Sequence, residues 1–446
     1  MRRAYPAHAY DPAPPPSFWA TTVPDAAAVA PSLEQDLVVD FAVVGGGYTG
    51  LNAALTLAER GEDVALFDAA YPGWGASGRN GGFVCVGGSA LDYDEQIAKF
   101  GFDETKRFVD LQRRTTDHVA TLLDRFAIDA DRHSDGEWAM AHSAKAFARG
   151  EKAAETERRL GLTVNSFNQG ALDERGMVGP AFHGGHQLAH GFAINPLKYA
   201  NGLARATAAA GARLYGRSPV HSINTAPGGF RLHVGGFAVR AKHVIVSVNG
   251  YGGDDWVPGL DDRVLPVMSS IMVTRPLTGG ELQGPGWASD QAAYDTRARV
   301  HYFRLLPDGR FMMGTRGGSS LHPLMLKRLD RQIRIDFEHL FPHWAHVEAE
   351  YKWNGLLALA RDKSMYVGPL GDWRNAWTAA AYHGNGVAMG SYAGKLLAEL
   401  AVGDLQMDDL PAIMRGPLRR FPLPRLKMAY IKGYYAAWDI AELLRG

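Results

Sequence analysis

The chain has almost no cysteine, no excess of charge of either sign and no long apolar run. Its single cysteine, Cys85, excludes an internal disulfide and a redox pair of thiols, and we expect the reducing cytoplasm as its compartment. Lysine plus arginine equals aspartate plus glutamate at 47 each, so the net charge favours neither nucleic acid nor an anionic membrane as a partner. No apolar stretch approaches the roughly 20 residues that span a bilayer, and the N-terminus lacks the apolar core of a secretory signal. These absences favour a soluble protein that acts on a small molecule.

Length and apolar content are what the chain does have. Its 446 residues are 46% hydrophobic, enough to bury a substantial core and to form more than one lobe. Residues 1–36 are rich in proline and alanine, which disfavours a regular helix or a central strand, so they predict an extended arm. The arm is either loose or packed on the body, and the cost of leaving Phe18 and Trp19 in water favours packing.

A dinucleotide-binding pattern begins at residue 37. The apolar, β-branched run 37–44 is typical of a strand buried on both faces of a parallel sheet. It leads directly into Gly45-x-Gly47-x-x-Gly50, then into a stretch with helical periodicity, and then into a second apolar strand that ends in Asp68. The glycines allow a tight turn and close approach of the backbone to a pyrophosphate, and Asp68 stands where an acid accepts hydrogen bonds from a ribose. The sequence therefore predicts a β-α-β unit with phosphates at the helix N-terminus.

Two further glycine-rich segments favour a flavin over a nicotinamide nucleotide. Residues 75–82 read GASGRNGG, in which the glycines let the backbone lie flat against a bulky cofactor, Ser77 can bond to a phosphate and Arg79 can place positive charge near the ring. Residues 383–387, HGNGV, begin the last predicted helix, whose N-terminus would stabilise negative charge on a reduced ring. The alternative for residues 75–82 is a flexible surface loop, and the alternative for residues 383–387 is an ordinary glycine-capped helix start.

The rest of the chain predicts a second lobe that is interleaved with the first. Residues 91–166 are interpreted as mostly amphipathic helix, in which we expect no chemistry. A strand at 243–248 and another at 377–382, followed by a helix at 387–400, continue the parallel sheet. Between 264 and 316, short apolar runs alternate with turn signals, which predicts an antiparallel sheet.

Taken together, these segments resemble the D-amino-acid-oxidase superfamily of FAD enzymes, in particular its gamma-glutamylputrescine oxidase-like branch. The two most specific motifs are the glycine-rich loop and the start of the last helix. The motifs that carry the resemblance cover nearly the whole chain: SFWA at 17–20, GGGYTG at 45–50, GASGRNGG at 75–82, INPLKY at 194–199, SVNGY at 247–251, YFRL at 302–305, WNGL at 353–356 and YHGNGVAMG at 382–390.

The resemblance implies an α/β fold in which a Rossmann-like FAD-binding lobe is interleaved with an α+β substrate lobe built on an antiparallel sheet. The implied segments are an N-terminal arm at 1–36, a FAD-binding domain at 37–90, 167–253 and 352–403, a substrate domain at 91–166 and 254–351, and a C-terminal extension at 404–446. The oligomeric state is not predicted.

The resemblance also implies one FAD. We expect it to be bound without a covalent link, because the late cysteine to which sarcosine-oxidase-like relatives attach flavin is missing and Cys85 lies elsewhere. The residues that the resemblance places against FAD are Gly45, Gly47, Tyr48, Thr49, Gly50, Asp68, Ala76, Ser77, Arg79, Asn80, Gly81, Gly82, Val220, Asn249, Gly384, Asn385, Gly386 and Val387. We expect no metal site, because His183, His186 and His190 lie in a glycine-rich loop without a carboxylate cluster.

An aromatic, dry substrate pocket is a further implication. Its candidate residues are Tyr302, Trp353, Tyr366 and His383, with Arg304 as an anion anchor. For the aromatic and histidine side chains, ordinary core packing is the alternative. Gly355 is followed by Leu356 rather than by the arginine that clamps the substrate carboxylate in glycine and D-amino acid oxidases. This departure argues against a simple α-amino acid as substrate, unless Arg304 substitutes.

We therefore expect oxidation of a primary or secondary amine, gamma-glutamylputrescine-like or related, by hydride transfer to N5 of the flavin. The product imine would hydrolyse to an aldehyde, and oxygen would reoxidise the flavin. Two alternatives stay open. One is an amino acid oxidase or dehydrogenase, for a D-amino acid, glycine or a sarcosine-like substrate, with electrons passing to a quinone. The other is a flavin-binding protein without catalysis that serves a partner.

Overall fold

The first strand is buried on both faces, as its composition predicts, in a computed structural model that describes residues 3–318, 321–426 and 428–433. This strand, Leu37–Val44, pairs in parallel with a neighbour on each side. Phe41 and Val43 face a core formed largely by helices, whereas Ala42 and Val44 face a core shared with a β-hairpin. From Phe41 to Val44 both faces are covered, which explains the four consecutive apolar residues there, whereas Val38 is exposed and Asp40 is half-buried.

The elements follow the chain in an order that alternates between two large sheets. The strands are β1 (Leu37–Val44), β2 (Val64–Phe67), β3 (Phe83–Cys85), β4 (Glu137–Met140), β5 (Val164–Asn168), β6 (Gly184–Leu188), β7 (Gly191–Ala193), β8 (Arg213–Tyr215), β9 (Val220–Ala226), β10 (Gly229–Val234), β11 (Phe237–Val246), β12 (Val264–Thr274), β13 (Ala293–Asp295), β14 (His301–Leu305), β15 (Phe311–Arg316), β16 (Ala349–Ala360), β17 (Tyr366–Pro369) and β18 (Ala376–Ala380). The α-helices are α1 (Phe18–Thr22), α2 (Tyr48–Glu59), α3 (Tyr93–Phe100), α4 (Phe102–Arg125), α5 (Ala144–Arg159), α6 (Gln169–Asp173), α7 (Pro196–Ala209), α8 (Gly279–Gln283), α9 (Pro323–Leu340), α10 (Ala388–Val402) and α11 (Ala412–Arg415).

The first sheet has the order β17-β18-β11-β1-β2-β8. Its strands from β18 to β8 are parallel, β17 is antiparallel to β18, and the β9–β10 hairpin continues antiparallel from β11. The predicted β-α-β unit and the predicted strands near 243–248 and 377–382 are confirmed as members of this sheet. Because parallel strands end at one edge, the turn after β1 and the segment after β18 lie on the same side of the sheet.

The second sheet has the order β16-β12-β15-β14-β13-β4-β6-β5. It is antiparallel except at β13 and β4, which pair in parallel. The predicted antiparallel sheet between 264 and 316 is therefore present as β12 to β15. One face packs on α9 through an aromatic cluster that includes Phe303, Phe311 and Phe337.

Two segments belong to a different sheet from the one that their predicted domain implied. Residues 167–253 were expected in the FAD-binding lobe, yet β6 (Gly184–Leu188) pairs with β4 and β5 in the second sheet. The predicted boundary at residue 352 falls within β16, since the whole strand Ala349–Ala360 pairs with β12, and the domain division itself stays a prediction. Residues 91–166 are mostly helix, as predicted, with β4 between α4 and α5 and with β5 beginning at the end of the segment. These strands are short or polar on one face, which weakens their sequence signal.

The predicted N-terminal arm is packed on the body and is more regular than expected. Ser17 caps the short helix Phe18–Thr22 by accepting a hydrogen bond from the backbone N–H of Ala20, so the absence of any helix was a wrong prediction. Trp19 is only 1% exposed, and its Nε1 donates to the carbonyl oxygen of Asn80 over 2.9 Å. The arm therefore holds the glycine-rich loop from outside. Met1 and Arg2 lie outside the described residues.

The predicted C-terminal extension, 404–446, is described as far as residue 433, apart from residue 427. Its side chains Leu418 and Phe421 are buried against the body. In the described ranges, none of the helices combines the length and apolar character that a bilayer crossing requires. Within the same ranges, no group of three or more histidine, cysteine, aspartate or glutamate residues is arranged to hold a metal ion.

Candidate active site

The glycine turn after β1 has a geometry that side chains would block. Gly45 has φ +103°, and a Cβ on Gly50 would overlap the carbonyl oxygen of Gly45. A Cβ on Gly47 would lie 2.9 Å from Oγ of Ser77. Gly47 is the N-cap of α2 and has no side chain to cap the helix, and among the N–H groups of the first turn that of Tyr48 donates to Oγ of Ser77. The helix start thus presents backbone N–H groups and a positive dipole end beside a turn with no side chains, which fits a pyrophosphate.

Several side chains of this motif hold the turn together. Asp68 accepts hydrogen bonds from the backbone N–H groups of Gly46, at 2.7 Å, and Ala70, at 2.8 Å, while burial raises the pKa of its carboxyl. Ser77 accepts from the backbone N–H of Tyr48 at 3.0 Å. These bonds fix the glycine-rich loop relative to the turn. Contact of Asp68 with a ribose stays a prediction.

Tyr48 and Thr49 use their side chains internally. The hydroxyl of Tyr48 donates to the carbonyl oxygens of Ser77 at 2.6 Å and Pro196 at 2.9 Å. Thr49 Oγ1 lies 2.7 Å from the hydroxyl of Tyr382, which precedes α10. Both side chains are therefore engaged within the protein, and the part of these two residues in FAD binding stays a prediction.

A cavity of about 870 Å³ lies beside the glycine-rich loop and the second sheet. Of the predicted cofactor residues, the following line it: Ala76, Arg79, Asn80, Gly81, Gly384, Asn385 and Val387. The fold thus brings the loop and the start of α10, about three hundred residues apart in sequence, to one cavity. A Cβ on Gly81 would lie 2.9 Å from the ring of Tyr302, and Gly384 has φ +107°. Two stretches of bare backbone facing one cavity fit a flat ring such as that of a flavin.

The other predicted cofactor residues lie around this frame. Val220 is buried at the start of β9, and Asn249 accepts a hydrogen bond from the backbone N–H of Ala381 at 3.0 Å. Gly82 donates its N–H to Oδ1 of Asn80 at 2.7 Å, and Gly386 lies beside the ring of Tyr382. Their contacts with FAD stay predictions.

Of the predicted catalytic side chains, Tyr302 lines the cavity. Its hydroxyl lies 2.9 Å from Oγ of Ser269, and burial raises its pKa to about 12, so it is a neutral hydrogen-bonding group. Trp353 lies behind the glycine-rich loop, where its Nε1 donates to the carbonyl oxygen of Arg79 at 2.8 Å. Tyr366 donates to the carbonyl oxygen of Pro369 at 2.8 Å. Trp353 and Tyr366 therefore follow the core-packing alternative.

His383 is placed with its ring away from the cavity. Its Nε2 accepts from the backbone N–H of Ala360 at 3.4 Å, and its carbonyl oxygen accepts from Nη2 of Arg316 at 3.0 Å. Burial, with the nearby Arg316, lowers the pKa of the imidazole to about 4. The ring is therefore neutral, and it supports the backbone turn that leads into α10.

The predicted anion anchor, Arg304, does not line the cavity. It is completely buried, with Nη2 donating to the carbonyl oxygen of Ile194 at 2.6 Å and Nη1 lying 3.1 Å from Nε2 of His133. Its guanidinium lies 5.6 Å from the ring of Trp19, and burial lowers its pKa to about 9. Arg304 is therefore a structural bridge between the arm and the second sheet. Arg316, at the end of the neighbouring strand β15, does line the cavity, as do Arg79, Arg149 and Arg297.

Residues that the sequence did not single out also line the cavity. Glu137 on β4 and Tyr294 on β13 both line it, and the register pairs Tyr294 with Ala139, two positions from Glu137 on the same face. The expectation of no chemistry in 91–166 therefore overlooked a carboxyl group in the cavity wall. The only local signal was the alternation of β4, in which Trp138 and Met140 are buried and Glu137, on the other face, is partly exposed.

Glu137 is an acid in a poorly solvated place. Burial, together with the charge of Glu157, raises the pKa of its carboxyl to about 7, although contact with Cys85 opposes this. Cys85 Sγ accepts a hydrogen bond from the side-chain amide of Asn385 at 3.1 Å, and burial raises its thiol pKa well above the usual value. The thiol therefore stays protonated and connects the start of α10 to the acid.

A glycine turn at a helix N-terminus, leading to a cavity lined by two bare backbone stretches, defines a flavin-dependent oxidoreductase. Residues 40–400 match the family described as DAO: FAD dependent oxidoreductase, and the chain belongs to this family. The predictions of the family, the fold class and FAD as cofactor are thereby confirmed.

Similar proteins extend along most of the chain. It is 31% identical over 401 residues to gamma-glutamylputrescine oxidoreductase of Escherichia coli (strain K12), covering 88% of this chain and 89% of that protein. It is 30% identical over 389 residues to the probable oxidoreductase OrdL of Rhizobium meliloti (strain 1021), covering 87% of this chain and 88% of that protein. The crystal structure of glycine oxidase from Geobacillus kaustophilus superposes with a TM-score of 0.67 at 21% identity, covering 86% of this chain and all of that one, which shows the shared fold.

Proposed function

We propose that this protein oxidises a primary or secondary amine, gamma-glutamylputrescine-like or related, to an imine that water converts to an aldehyde. The observation that carries the proposal is the position of Glu137, a carboxyl group that lines the same cavity as the backbone stretches that fit the flavin ring. The similarity to gamma-glutamylputrescine oxidoreductase supports an amine as substrate. When bound, FAD supplies the two-electron acceptor that takes a hydride from the carbon beside the nitrogen, with oxygen as the proposed final acceptor.

Glu137 is suited to bind the ammonium form of the substrate and to take its proton. An amine must lose its proton before its carbon can lose a hydride, and an amine of pKa near 10 is mostly protonated at pH 7. A carboxyl whose pKa is raised to about 7 is a better match for such a proton than an ordinary one with pKa 4.5. The proton would stay on an oxygen of Glu137 until it returns to solvent.

The remaining wall is aromatic and hydrogen-bonding. Phe83, Tyr93, Tyr294 and Tyr302 line the cavity, and burial raises the pKa of each of the three tyrosines. Neutral tyrosines can orient a nitrogen by hydrogen bonds and exclude bulk water from the reacting carbon. Little free water also strengthens the attraction between Glu137 and a cationic amine.

A second candidate function is oxidation of an α-amino acid, with electrons passing to a quinone. It is favoured by one observation, the presence of Arg316 in the cavity wall. One Nη of Arg316 donates to the carbonyl oxygen of His383, which leaves other guanidinium donors for a carboxylate. Arg316 would then fill the role that the sequence assigned to Arg304.

Anaerobic mixing of the FAD-loaded protein with a panel of amines and α-amino acids tests both candidates. The proposal predicts loss of the oxidised flavin absorbance with amines whose reacting carbon carries no carboxylate. Reduction by α-amino acids alone would instead support the second candidate, and no reduction by any compound would support flavin binding without catalysis. Oxygen uptake measured after reduction, against reduction of a quinone, identifies the acceptor.

The variant Glu137→Gln tests the proposed proton acceptor. It keeps the shape of the side chain but removes its charge, so kcat/KM for amines should fall about 10- to 100-fold, since hydrogen bonds to charged groups contribute about 1.5–3 kcal/mol. The matched control is Glu155→Gln, on the exposed surface of α5. Equal kcat/KM in Glu137→Gln and the unmodified protein would contradict the role of Glu137.

A further inference from the structure

A cavity of about 320 Å³ lies between the N-terminal arm and the turn after β14. We call it the arm cavity, and it is lined by Phe18 and Trp19 of the arm, by Lys198 of α7 and by Arg304 of β14, among others. No described residue lines both the arm cavity and the cavity of the proposed active site. The arm cavity is therefore a separate space, and its volume is enough for a small ligand.

Arg304 carries a buried charge on the wall of the arm cavity. Burial lowers its pKa to about 9, which still leaves it protonated at neutral pH, and its side chain is completely buried. Nη2 donates to the carbonyl oxygen of Ile194 at 2.6 Å, and Nη1 lies 3.1 Å from Nε2 of His133. Among the residues that the structure describes, none accepts a hydrogen bond from its Nε.

Both hydrogen-bond partners of Arg304 are uncharged. Nδ1 of His133 lies 2.7 Å from the carbonyl oxygen of Asp131. A carbonyl oxygen only accepts and a guanidinium only donates, so the ring proton of His133 is on Nδ1 and its Nε2 is the acceptor. Burial, with the nearby Arg304, also lowers the pKa of this imidazole to about 4, so the ring is neutral. In the described part of the chain, Arg304 therefore has a buried charge without a carboxylate bonded to it.

The two described acids that line the arm cavity already have partners of their own. Asp131 lies 2.6 Å from Nζ of Lys198 and accepts a hydrogen bond from the side-chain amide of Asn195 at 3.2 Å. Asp308 accepts a hydrogen bond from Nε of Arg310 at 3.0 Å. These pairs use the negative charge of the cavity wall without a direct bond to the buried guanidinium.

The unused hydrogen-bonding groups of the two cations are donors. Arginine has five N–H bonds and lysine has three, and the bonds described above use two of Arg304 and one of Lys198. Asn195 caps the N-terminus of α7 and Lys198 lies in its first turn, so the positive end of this helix dipole lies at the same cavity. A buried charge and buried donors without partners are costly, and an anion with several oxygens would satisfy both.

From this arrangement we propose that the arm cavity binds a small oxyanion, inorganic phosphate or a phosphate monoester, between Arg304 and Lys198. Arginine binds phosphate through parallel N–H bonds and lysine adds an adjustable point charge, so the two together match an ion with acceptors on several sides. The ion would supply the negative charge that Arg304 lacks within the protein. This site is independent of the proposed amine oxidation.

The bound ion would also connect the arm to the glycine-rich loop. Nε1 of Trp19 donates to the carbonyl oxygen of Asn80 at 2.9 Å. Ile194, which accepts from Arg304, donates its backbone N–H to the carbonyl oxygen of Gly82 at 2.8 Å. Two parts of the cavity wall are thus linked to the loop, so the ion should stabilise the arm and the loop together.

Calorimetric titration of the FAD-loaded protein with inorganic phosphate tests the site. The protein is first dialysed into a phosphate-free chloride buffer, and the inorganic phosphate released by a denatured sample is assayed, so that an ion retained through purification is also counted. We expect one phosphate per chain and, at a hundredfold excess over Kd, a Tm about 2–3 °C higher than in chloride of equal ionic strength. A parallel titration with methyl phosphate shows whether the free ion or the monoester binds more tightly. If neither ion is retained or bound, water alone fills the cavity and the proposal is overturned.

Variants of the two cations test where the ion binds. Lys198→Gln should weaken phosphate binding about tenfold or more, because it removes one charged donor. The matched control is Lys106→Gln, which removes a lysine of α4 that also pairs with an aspartate, Asp110 at 3.2 Å, and it should leave Kd unchanged. Arg304→Met should abolish binding in protein that still holds FAD, and Lys198→Gln decides the question if Arg304→Met does not fold. Equal phosphate affinity in Lys198→Gln and the unmodified protein, or an equal loss in Lys106→Gln, would overturn the assignment.

Discussion

The pH dependence of stability at Glu137 gives a direct measure of how dry the proposed active site is. In the folded protein, burial raises the pKa of this carboxyl from 4.5 to about 7. Between these two pH values the folded protein keeps the proton and the unfolded chain has lost it, so stability falls as pH rises through this window. The glutamine of Glu137→Gln has no proton to lose, and it should escape this loss.

The size of the effect follows from the shift. A rise in the pKa of Glu137 from 4.5 to about 7 lowers the free energy of unfolding by about 3 kcal/mol above about pH 8, compared with acid. About 1 kcal/mol of this is already lost at about pH 5. The advantage of the variant over the unmodified protein should therefore grow by about 2 kcal/mol between these two conditions. For 446 residues that unfold together, this corresponds to about 2 °C in Tm.

Differential scanning fluorimetry in excess FAD measures this difference. The informative quantity is Tm of Glu137→Gln minus Tm of the unmodified protein, recorded at about pH 5 and about pH 8, because effects common to both proteins cancel. Glu155→Gln, on the exposed surface, should show no such trend. A difference for Glu137→Gln that stays constant with pH would refute a desolvated carboxyl in the cavity.

Three further changes test other parts of the structure. Gly50→Ala should abolish FAD binding, measured as bound flavin per protein, because the new Cβ would meet the backbone of the turn. The control Gly279→Ala, where the new Cβ would lie in open space, should keep its FAD. Trp19→Ala should lower Tm by about 3–5 °C, since truncating a buried tryptophan costs about 3–5 kcal/mol, and an unchanged Tm would contradict a packed arm. Burial opposes the protonation of His301, but hydrogen bonds to Asp295 and a second aspartate outweigh it and raise its pKa to about 9. The unmodified protein therefore has extra stability near neutral pH, which it loses as the pH rises through about 9. His301→Gln should lack this stability, so the Tm curves of the two proteins should converge at high pH.

The cofactor-binding half of the protein is readable from local sequence. The turn Gly45-x-Gly47-x-x-Gly50 requires glycine at each position because a side chain would be strained or would meet its neighbours, and the strand before it ends in four buried apolar residues, 41–44. These sequence signals lie within a few residues of one another, so they can be recognised without knowledge of the fold. The resemblance then linked residues 75–82 and 383–387 to the same cofactor, and the structure brings most of them to one cavity.

The substrate half was decided by tertiary structure. Arg304 and Arg316 lie on neighbouring strands, and no local pattern distinguishes the one that is locked between Ile194 and His133 from the one that lines the cavity. Glu137 is one acid in a short strand whose alternation separates two faces without saying what either face meets.

Local sequence therefore determined the turn after β1 and the strands around it, because these depend on backbone conformation and on short-range apolar patterning, and the resemblance of whole motifs indicated the family. Tertiary structure alone decided which charged side chains line the cavity and which are neutralised in the core. The physical reason is that the environment of a charge is set by residues distant in sequence: Glu137 meets Cys85 and Glu157 only in the folded chain.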